Sequence, residues 1–577
     1  MRTRSVPVGE IRRLGDHAFL LGVPDPVAGR RLARALTAAR LEGLAEVVGG
    51  LATVMVAFDP LEEDVAARRP VLRSVMEETF AQPGDVEDGG ILLQIPCSFD
   101  GPDLPEVATL VGSTPEAVVA MVTAHPLTVA VVGFSPGFAY LAGLPDELGQ
   151  VPRRPRPRPT VPAGSVALAN GHAAVYPSAS PGGWQLIGRT DEPLFTPWAP
   201  PYARLAPGDR VRFVRGALAP APAAPAPGPG RTDRDDGAAG VADPLPPTAR
   251  PVFDVDEPGV RTVLQDGGRR GLAALGVPAA SPADPYSFRL ANQLVGNPAG
   301  ACTLETTARG PSLRCLTATF VAVVGGSPEL RLQGQPVDAG RVVPVNAGQQ
   351  LVVGPVRDGF RCYVALAGGF VGPELLGSRS SDQLAGLGPG PIVRGARLWG
   401  ATMAPPMGDH LRHGTPVGST GDGPVALRVV PGPHPERFAA GTFAALASMR
   451  FTVAAESNRV GLRLRRDPAN PALAAAPGVP GVPGVPGELD SQGMVTGAVQ
   501  IPPDGEPVIL LTDHATLGGY PVVAVVAAVD HGVLGQCAPG TTVVLVPFDH
   551  DRSADALRGH LRELERAVVG HYPLVVE

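Results

Sequence analysis

Apolar positions along the 577-residue chain follow two rhythms. From Pro26 to Arg40 they recur every three or four residues, the spacing of one helix face, and LATVMVAF (51–58) is a short unbroken apolar run of the kind buried strands carry. Residues 24–80 therefore read as helices around one strand. A further helix is expected at Ser113-Thr114-Pro115-Glu116, where the serine and the glutamate three residues on fit a capping box and proline suits the first turn. After LTVAVVGF (127–134) the rhythm changes to short strands punctuated by glycine and proline, the mark of sandwiches and barrels. The rest of the chain keeps that style, with helices expected near Pro285–Gly296, Pro435–Ala447 and Ser553–Val568.

There is a faint internal echo. PGGWQLIGRT (181–190) followed by ARLAPGDRVRF (203–213) matches in outline LGGYPVVAVV (517–526) followed by GQCAPGTTVVLVPF (535–548). Each pairs a Gly-Gly-aromatic turn and buried strand with an APG turn and a final strand, as two related β-barrels would.

Composition sharpens this picture in three places. Glycine (73) and proline (67) make up about a quarter of the chain, and part of that excess lies in residues 217–248, a Pro/Ala stretch with a charged, glycine-rich tail. Such a segment cannot bury enough apolar area to offset its ordering entropy, so it reads as a linker between two halves. GVPGVPGVPG (478–487) is too short for a collagen-type helix and reads as a loop. Finally, all 48 basic residues are arginine, which excludes a Walker-type lysine, a lysine Schiff base and a biotinyl-lysine on this chain.

A net charge of −7 argues against a general nucleic-acid binder. The five cysteines (Cys97, Cys302, Cys315, Cys362, Cys537) lack any CxxC spacing and read as free thiols in a reducing compartment. The N-terminus has no signal-peptide core and no apolar run reaches membrane-spanning length, so a cytoplasmic protein without a membrane partner is expected. The histidines show no metal-ligand spacing, so no metal site is expected, and His410/His413 and His550/His560 read as surface positions.

Several motifs invite chemistry. Gly133-Phe134-Ser135-Pro136-Gly137 satisfies GxSxG, but a nucleophile elbow needs the backbone N–H after the serine, and Pro136 has none. A strand-end turn is the better reading. VPRRPRPRPTVPAGSVAL (151–168) packs four arginines into six residues. Alternate guanidinium groups of an extended stretch share a face and suit a carboxylate or phosphate, while Arg154 and Arg156 read as solvated. Trp184, after two glycines, reads as a core anchor or lid, and Arg189 needs an anionic partner. Gln265-Asp266-Gly267-Gly268-Arg269 is a polar turn followed by Asp284, Asn292 and Glu305, and LLTDHATLGGYP (510–521) adds Asp513 and Tyr520.

Taken in order, GFSPGFAYLAGLP, VPAGSVA, YPSASPGGWQLIGRT and PYARLAPGDRVRF resemble the allophanate hydrolase subunit 1 (KipI) family. TVLQDGGRRGLAALGVP, LE-T, ALAGGF, GSRS, VVPGPHPERF, S-x-R-x-G-x-RL, GAVQIPPDGEPVILLTD and GGYP resemble the subunit 2 (KipA) family, and together the two sets cover most of residues 5–215 and 252–549. The resemblance implies a fusion of the two small subunits of bacterial ATP-dependent 5-oxoprolinase, α+β and mainly β in class. The implied layout is a ferredoxin-like domain at 1–90, a cyclophilin-like β-barrel at 91–216, the linker at 217–248, and further barrels at 249–420 and 421–577.

It further implies a LamB/YcsF-type third subunit, a lactam or amide substrate, ATP (with Mg as the nucleotide complex), and no biotin attached here. Homo-oligomers are compatible with it. Matching the motifs, Arg153, Arg158 and Arg189 are expected at an anion, beside Ser165, Gly182, Gly183 and Trp184. Gln265, Asp266, Arg269 and Asp513 are the expected catalytic groups. Urea carboxylase-type carboxyl transfer with biotin from another chain, and KipI-like inhibition of a sensor kinase, are the alternatives. The chain departs from the usual motifs at His172-Ala173-Ala174, Ala280-Ser281-Pro282-Ala283-Asp284 and Gly400-Ala401, which bears on substrate identity.

Overall fold

The N-terminal segment is built from two hairpins and two helices. Strands β1 (Ile11–Leu14) and β2 (Ala18–Gly22) precede helix α1 (Pro26–Ala38), and strands β3 (Leu44–Gly49) and β4 (Thr53–Phe58) precede helix α2 (Arg69–Ala81). The sheet order is β1-β2-β4-β3, antiparallel throughout. α1 starts where expected because the Asp25 carboxylate accepts from Ala28 N at 2.8 Å and Pro26 holds the first helical position. The expectation of one strand in residues 24–80 is corrected by β3: its positions are mostly half-buried and Glu46 interrupts the apolar run. The computed structural model describes residues 4–59, 65–82, 90–154, 156–216, 247–401, 423–470, 473, 475 and 487–569. Residues 217–246 of the linker, most of the GVP repeat, His410 and His413 lie outside these residues.

The next unit is a seven-stranded sheet in the order Gln185–Arg189, Ser165–Ala169, His172–Val175, Ala139–Ala142, Leu127–Val132, Arg210–Arg215, Leu92–Cys97. A bridge between Ser98 and Arg189 brings its two edges together. Helix Pro115–Ala124 is present, but its cap is Thr114, whose Oγ1 accepts from Ala117 N, so the predicted capping box is out of register by one residue.

Past the linker, residues 249–401 form a seven-stranded and a five-stranded sheet, and residues from Val425 to Pro547 close a seven-stranded barrel. Helices Pro285–Leu294 and His550–Val569 answer to expectation, whereas Pro435–Ala447 contains only short helical turns. His550 and His560 are half-buried, not surface residues; the His560 ring packs edge-on against Tyr286, 4.5 Å between centroids.

The sequence echo has a structural counterpart. Arg210–Arg215 pairs parallel with Leu92–Cys97 and antiparallel with Leu127–Val132. Thr542–Pro547 likewise pairs parallel with Val425–Pro431 and antiparallel with Phe451–Val453. In both units the strand after the APG turn inserts between the first two strands of its own sheet.

The two halves share one apolar core. Leu14, Leu20 and Met55 of the N-terminal sheet, Phe138, Tyr176 and Trp184 of the next unit, and Met494, Leu517 and Val525 of the C-terminal barrel pack into a single cluster. Backbone bonds cross the same boundary, from Leu51 N to Ser491 O (2.8 Å) and from Gly137 N to Leu275 O (2.9 Å).

Candidate functional site

The GFSPG turn sits where the halves meet. A side chain at Gly133 would run into Leu517, 2.5 Å away, so glycine there permits the close approach, and Phe134 N donates to Thr516 Oγ1. Ser135 is buried and its hydroxyl has no hydrogen-bond partner, consistent with a turn and not an activated nucleophile.

The arginine segment lies against the Gly182-Gly183 turn. Arg158 and Arg154 both pair with the buried Asp103, at 2.7 and 2.9 Å, and the other Asp103 oxygen accepts from Leu186 N. Arg154 is therefore no solvated residue: it alternates with Arg158 on one face, while Arg156 between them is exposed. Arg153 reaches Glu488 of the second half at 3.8 Å. One buried N–H of each of Arg153, Arg154 and Arg158 (Nε, Nε and Nη1) is left without a partner, so this cluster retains capacity for an anion.

The other predicted anion contacts are placed differently. Arg189 pairs with exposed Asp100 at 3.1 Å. Ser165 spends its hydroxyl on Pro162 O, and Trp184 is a core residue packed edge-on against Phe138 and Tyr140. Gly182 lies against the Tyr176 ring, and Gly183 O accepts from Arg154 N, tying the glycine turn to the arginines.

In the second half Gln265, Asp266, Arg269 and Asp513 do gather around one loop, residues 375–388. Asp266 accepts from Ser378 Oγ, Ser380 Oγ, Gly268 N and Arg379 N. With its oxygens so engaged it organises the GSRS turn. Arg269 is buried, donating from Nε to Leu375 O and from Nη2 to Ser380 O, and Gln265 Nε2 donates to Ser381 O. Asp513 is held by a two-pronged contact with Arg459 (2.9 and 3.0 Å) and accepts from Gln383 N.

Three partners escaped the sequence reading. Arg459 is buried and links Asp513 to Glu305, with further bonds to Ser281 O and Thr512 Oγ1. Burial alone would raise the Glu305 carboxyl, but Arg459 and Arg361 outweigh it and hold it below its ordinary value. Asp382, next to Ser381, has Oδ1 occupied by Leu384 N and Ala385 N. Burial, helped by the Asp513 charge and opposed by Arg269, pushes its carboxyl up to about 7. Asp103 is the third. Arg459 lies in the S-x-R-x-G motif, so a signal existed; Asp382 and Asp103 are isolated acids that acquire meaning only through burial.

Loop 511–520 connects the clusters: Asp513 belongs to the polar network, Thr516 bonds Phe134, and Leu517 enters the aromatic core. The N-terminal sheet reaches the same neighbourhood, since the Glu46 carboxylate accepts from Gly271 N and Ala273 N, just past Arg269. Among the described residues no three His, Cys, Asp or Glu side chains are grouped to hold a metal ion, and no single helix is long and apolar enough to cross a membrane.

Comparison with known proteins agrees with this architecture. The family described as carboxyltransferase domain, subdomain C and D, matches residues 9–205, and that described as carboxyltransferase domain, subdomain A and B, matches residues 275–547. The first half resembles one 5-oxoprolinase subunit, that of Bacillus subtilis, at 33% identity over 222 residues, covering 36% of this chain and 92% of that protein. The second half resembles a different 5-oxoprolinase subunit, that of Escherichia coli K12, at 30% identity over 316 residues, covering 53% and 95%. Urea amidolyase of Lachancea kluyveri is 32% identical over 334 residues, 52% of this chain, but only 17% of that protein's length is matched. The crystal structure of TTHA0988 superposes with a TM-score of 0.75 at 33% identity, covering 92% of this chain and 99% of that one. The chain belongs to the carboxyltransferase-domain (KipI/KipA-like) family, with the C/D and A/B subdomain pairs fused in one polypeptide.

Proposed function

We propose that the chain is the fused form of the two small components of a cytoplasmic, ATP-dependent 5-oxoprolinase-type complex, opening the lactam of 5-oxoproline to glutamate together with a LamB/YcsF-type third subunit. The observation that carries this reading is length: the two halves match nearly the whole of two different 5-oxoprolinase subunits, in one chain. The N-terminal sheet, order β1-β2-β4-β3, reads as a ferredoxin-like plait whose edge strand comes first.

A lactam is a poor electrophile, and ATP when bound supplies a phosphoryl group that makes the amide oxygen a leaving group. The unpartnered N–H groups of Arg153, Arg154 and Arg158 fit an anionic group, as a phosphate or the substrate carboxylate would require. Any Mg would arrive as the nucleotide complex. The buried network around Arg269 and Asp513 offers a water-poor place for the amide.

Carboxyl transfer of the urea carboxylase type is the second reading, favoured by the family's carboxyltransferase description and by the urea amidolyase likeness. It would need biotin carried on another chain, since this one has no lysine. The deciding experiment co-purifies the chain with a LamB/YcsF-type protein and measures glutamate and ADP from 5-oxoproline, omitting each component in turn. Release of both only in the complete mixture is expected. No turnover of 5-oxoproline, with carboxyl transfer from added carboxybiotin, would overturn the first reading in favour of the second.

A further inference from the structure

Three buried polar atoms around loop 375–388 have nothing to bond: Gln265 Oε1, Arg269 Nη1 and Asp382 Oδ2. Their residues are 0, 1 and 5% exposed. A fold seldom leaves such atoms bare, and here the side chains are otherwise held fast. Gln265 Nε2 is fixed by Ser381 O, Arg269 by Leu375 O and Ser380 O, and Asp382 Oδ1 by two backbone N–H groups. One atom of each is left over, and all three side chains are anchored to or part of the same loop. The Arg269 and Asp382 charges act on each other without a hydrogen bond between them.

The leftover atoms differ in chemistry. Gln265 Oε1 only accepts and Arg269 Nη1 only donates. Because Asp382 Oδ1 already receives two N–H groups, a proton on that carboxyl belongs on Oδ2, which then donates. We propose that these atoms form a binding site for the polar edge of a small cis-amide, a lactam or urea-type group. Its N–H donates to Gln265 Oε1, and its carbonyl oxygen accepts from Arg269 Nη1 and Asp382 Oδ2. A cis-amide shows N–H and C=O on one side, so one small group can meet an acceptor and donors together; a trans peptide shows them on opposite sides. The inference rests on the lactam reading above and assigns the amide to the second half of the chain.

The groups facing Asp382 are Asp513, Arg269 and the N–H groups of Leu384 and Ala385. With its carboxyl at about 7, Asp382 donates at pH 6 and opposes the carbonyl oxygen with a negative charge at pH 8.

The test titrates the full-length chain with 5-oxoproline, 2-pyrrolidinone and N-methyl-2-pyrrolidinone by calorimetry at pH 6 and pH 8. The two N–H lactams should bind about tenfold more weakly at pH 8, and the N-methyl lactam about tenfold more weakly than its parent at pH 6. Asp382→Asn keeps a donor that does not titrate, so it should bind at both pH values and lose the pH dependence. Equal binding of the N-methyl lactam, a result obtained on the unmutated protein, overturns the site. So does an Asp382→Asn variant with the pH dependence intact, or no binding of any lactam. Lactam binding with these signatures but no turnover of 5-oxoproline with a third subunit removes the reaction and keeps the site. Turnover without the signatures removes the site and keeps the reaction.

Discussion

Arg459 offers the sharpest perturbation of the second half. It is 4% exposed at the side chain and neutralises two carboxylates, Asp513 and Glu305, that are themselves 0 and 1% exposed. Arg459→Met keeps most of the stem's packing but strands both charges and strips the donors from Ser281 O and Thr512 Oγ1. Removing one partner of a buried ion pair costs about 3–5 kcal/mol. At roughly 2 °C per kcal/mol for a large domain, the melting temperature should fall by about 6–10 °C.

The loss should also depend on pH. In the unmutated protein Glu305 is held below its ordinary value, so its contribution is present above the unfolded carboxyl range and lost as pH falls through the folded value. Without Arg459, burial dominates and raises the same carboxyl, so the variant is relatively better off in acid. Differential scanning calorimetry at pH 5 and pH 8 should show the smaller deficit at pH 5. A fall of under about 2 °C, or an equal deficit at both pH values, would refute the reasoning.

Three further outcomes are expected. Asp382 is raised to about 7, so the stability it contributes is full below the unfolded value and lost as pH rises through 7; Asp382→Asn should therefore melt higher than the parent at pH 8 and by a clearly smaller margin at pH 5, read by thermal scans. Gly388 has φ +76°, and a Cβ there would sit 2.2 Å from Ser380 O; Gly388→Ala should cost at least about 1–2 kcal/mol from the left-handed backbone alone, seen in denaturant unfolding, and should weaken lactam binding by displacing Arg269. A chain cut by an inserted protease site between residues 225 and 235 should still run as one species on gel filtration, because Leu20, Trp184 and Leu517 belong to one core; separation of the fragments would contradict that packing.

How much was readable in advance varied with the kind of signal. Strand runs such as 127–132 and the helix at Pro285–Leu294 were legible because apolar spacing and a capping Asp284 act locally. β1 was not, since Arg12 and Arg13 occupy its middle and only its ends, Ile11 and Leu14, are buried. At the site, motif residues Gln265, Arg269 and Asp513 were found together, while Asp266 proved to be a turn organiser and Trp184 a core residue. Asp103 and Asp382 lie far in sequence from the arginines they face, and no local pattern marks them. Arginine pairing explains part of the opening composition: Arg269 and Arg459 work through directed, multi-pronged N–H donation, which an ammonium cannot reproduce, while Arg154 and Arg158 share one Asp103 oxygen.

The core shared by the two halves has a consequence for regulation in the cell. The relatives that match each half are separate subunits, and association of separate chains depends on how much of each is made and how dilute it is. Here one polypeptide carries both partners, so their meeting does not depend on the concentration of either. Stoichiometry is then one to one by birth, neither half accumulates with its share of Phe138, Met494 or Leu517 bare, and dilution alone does not part them.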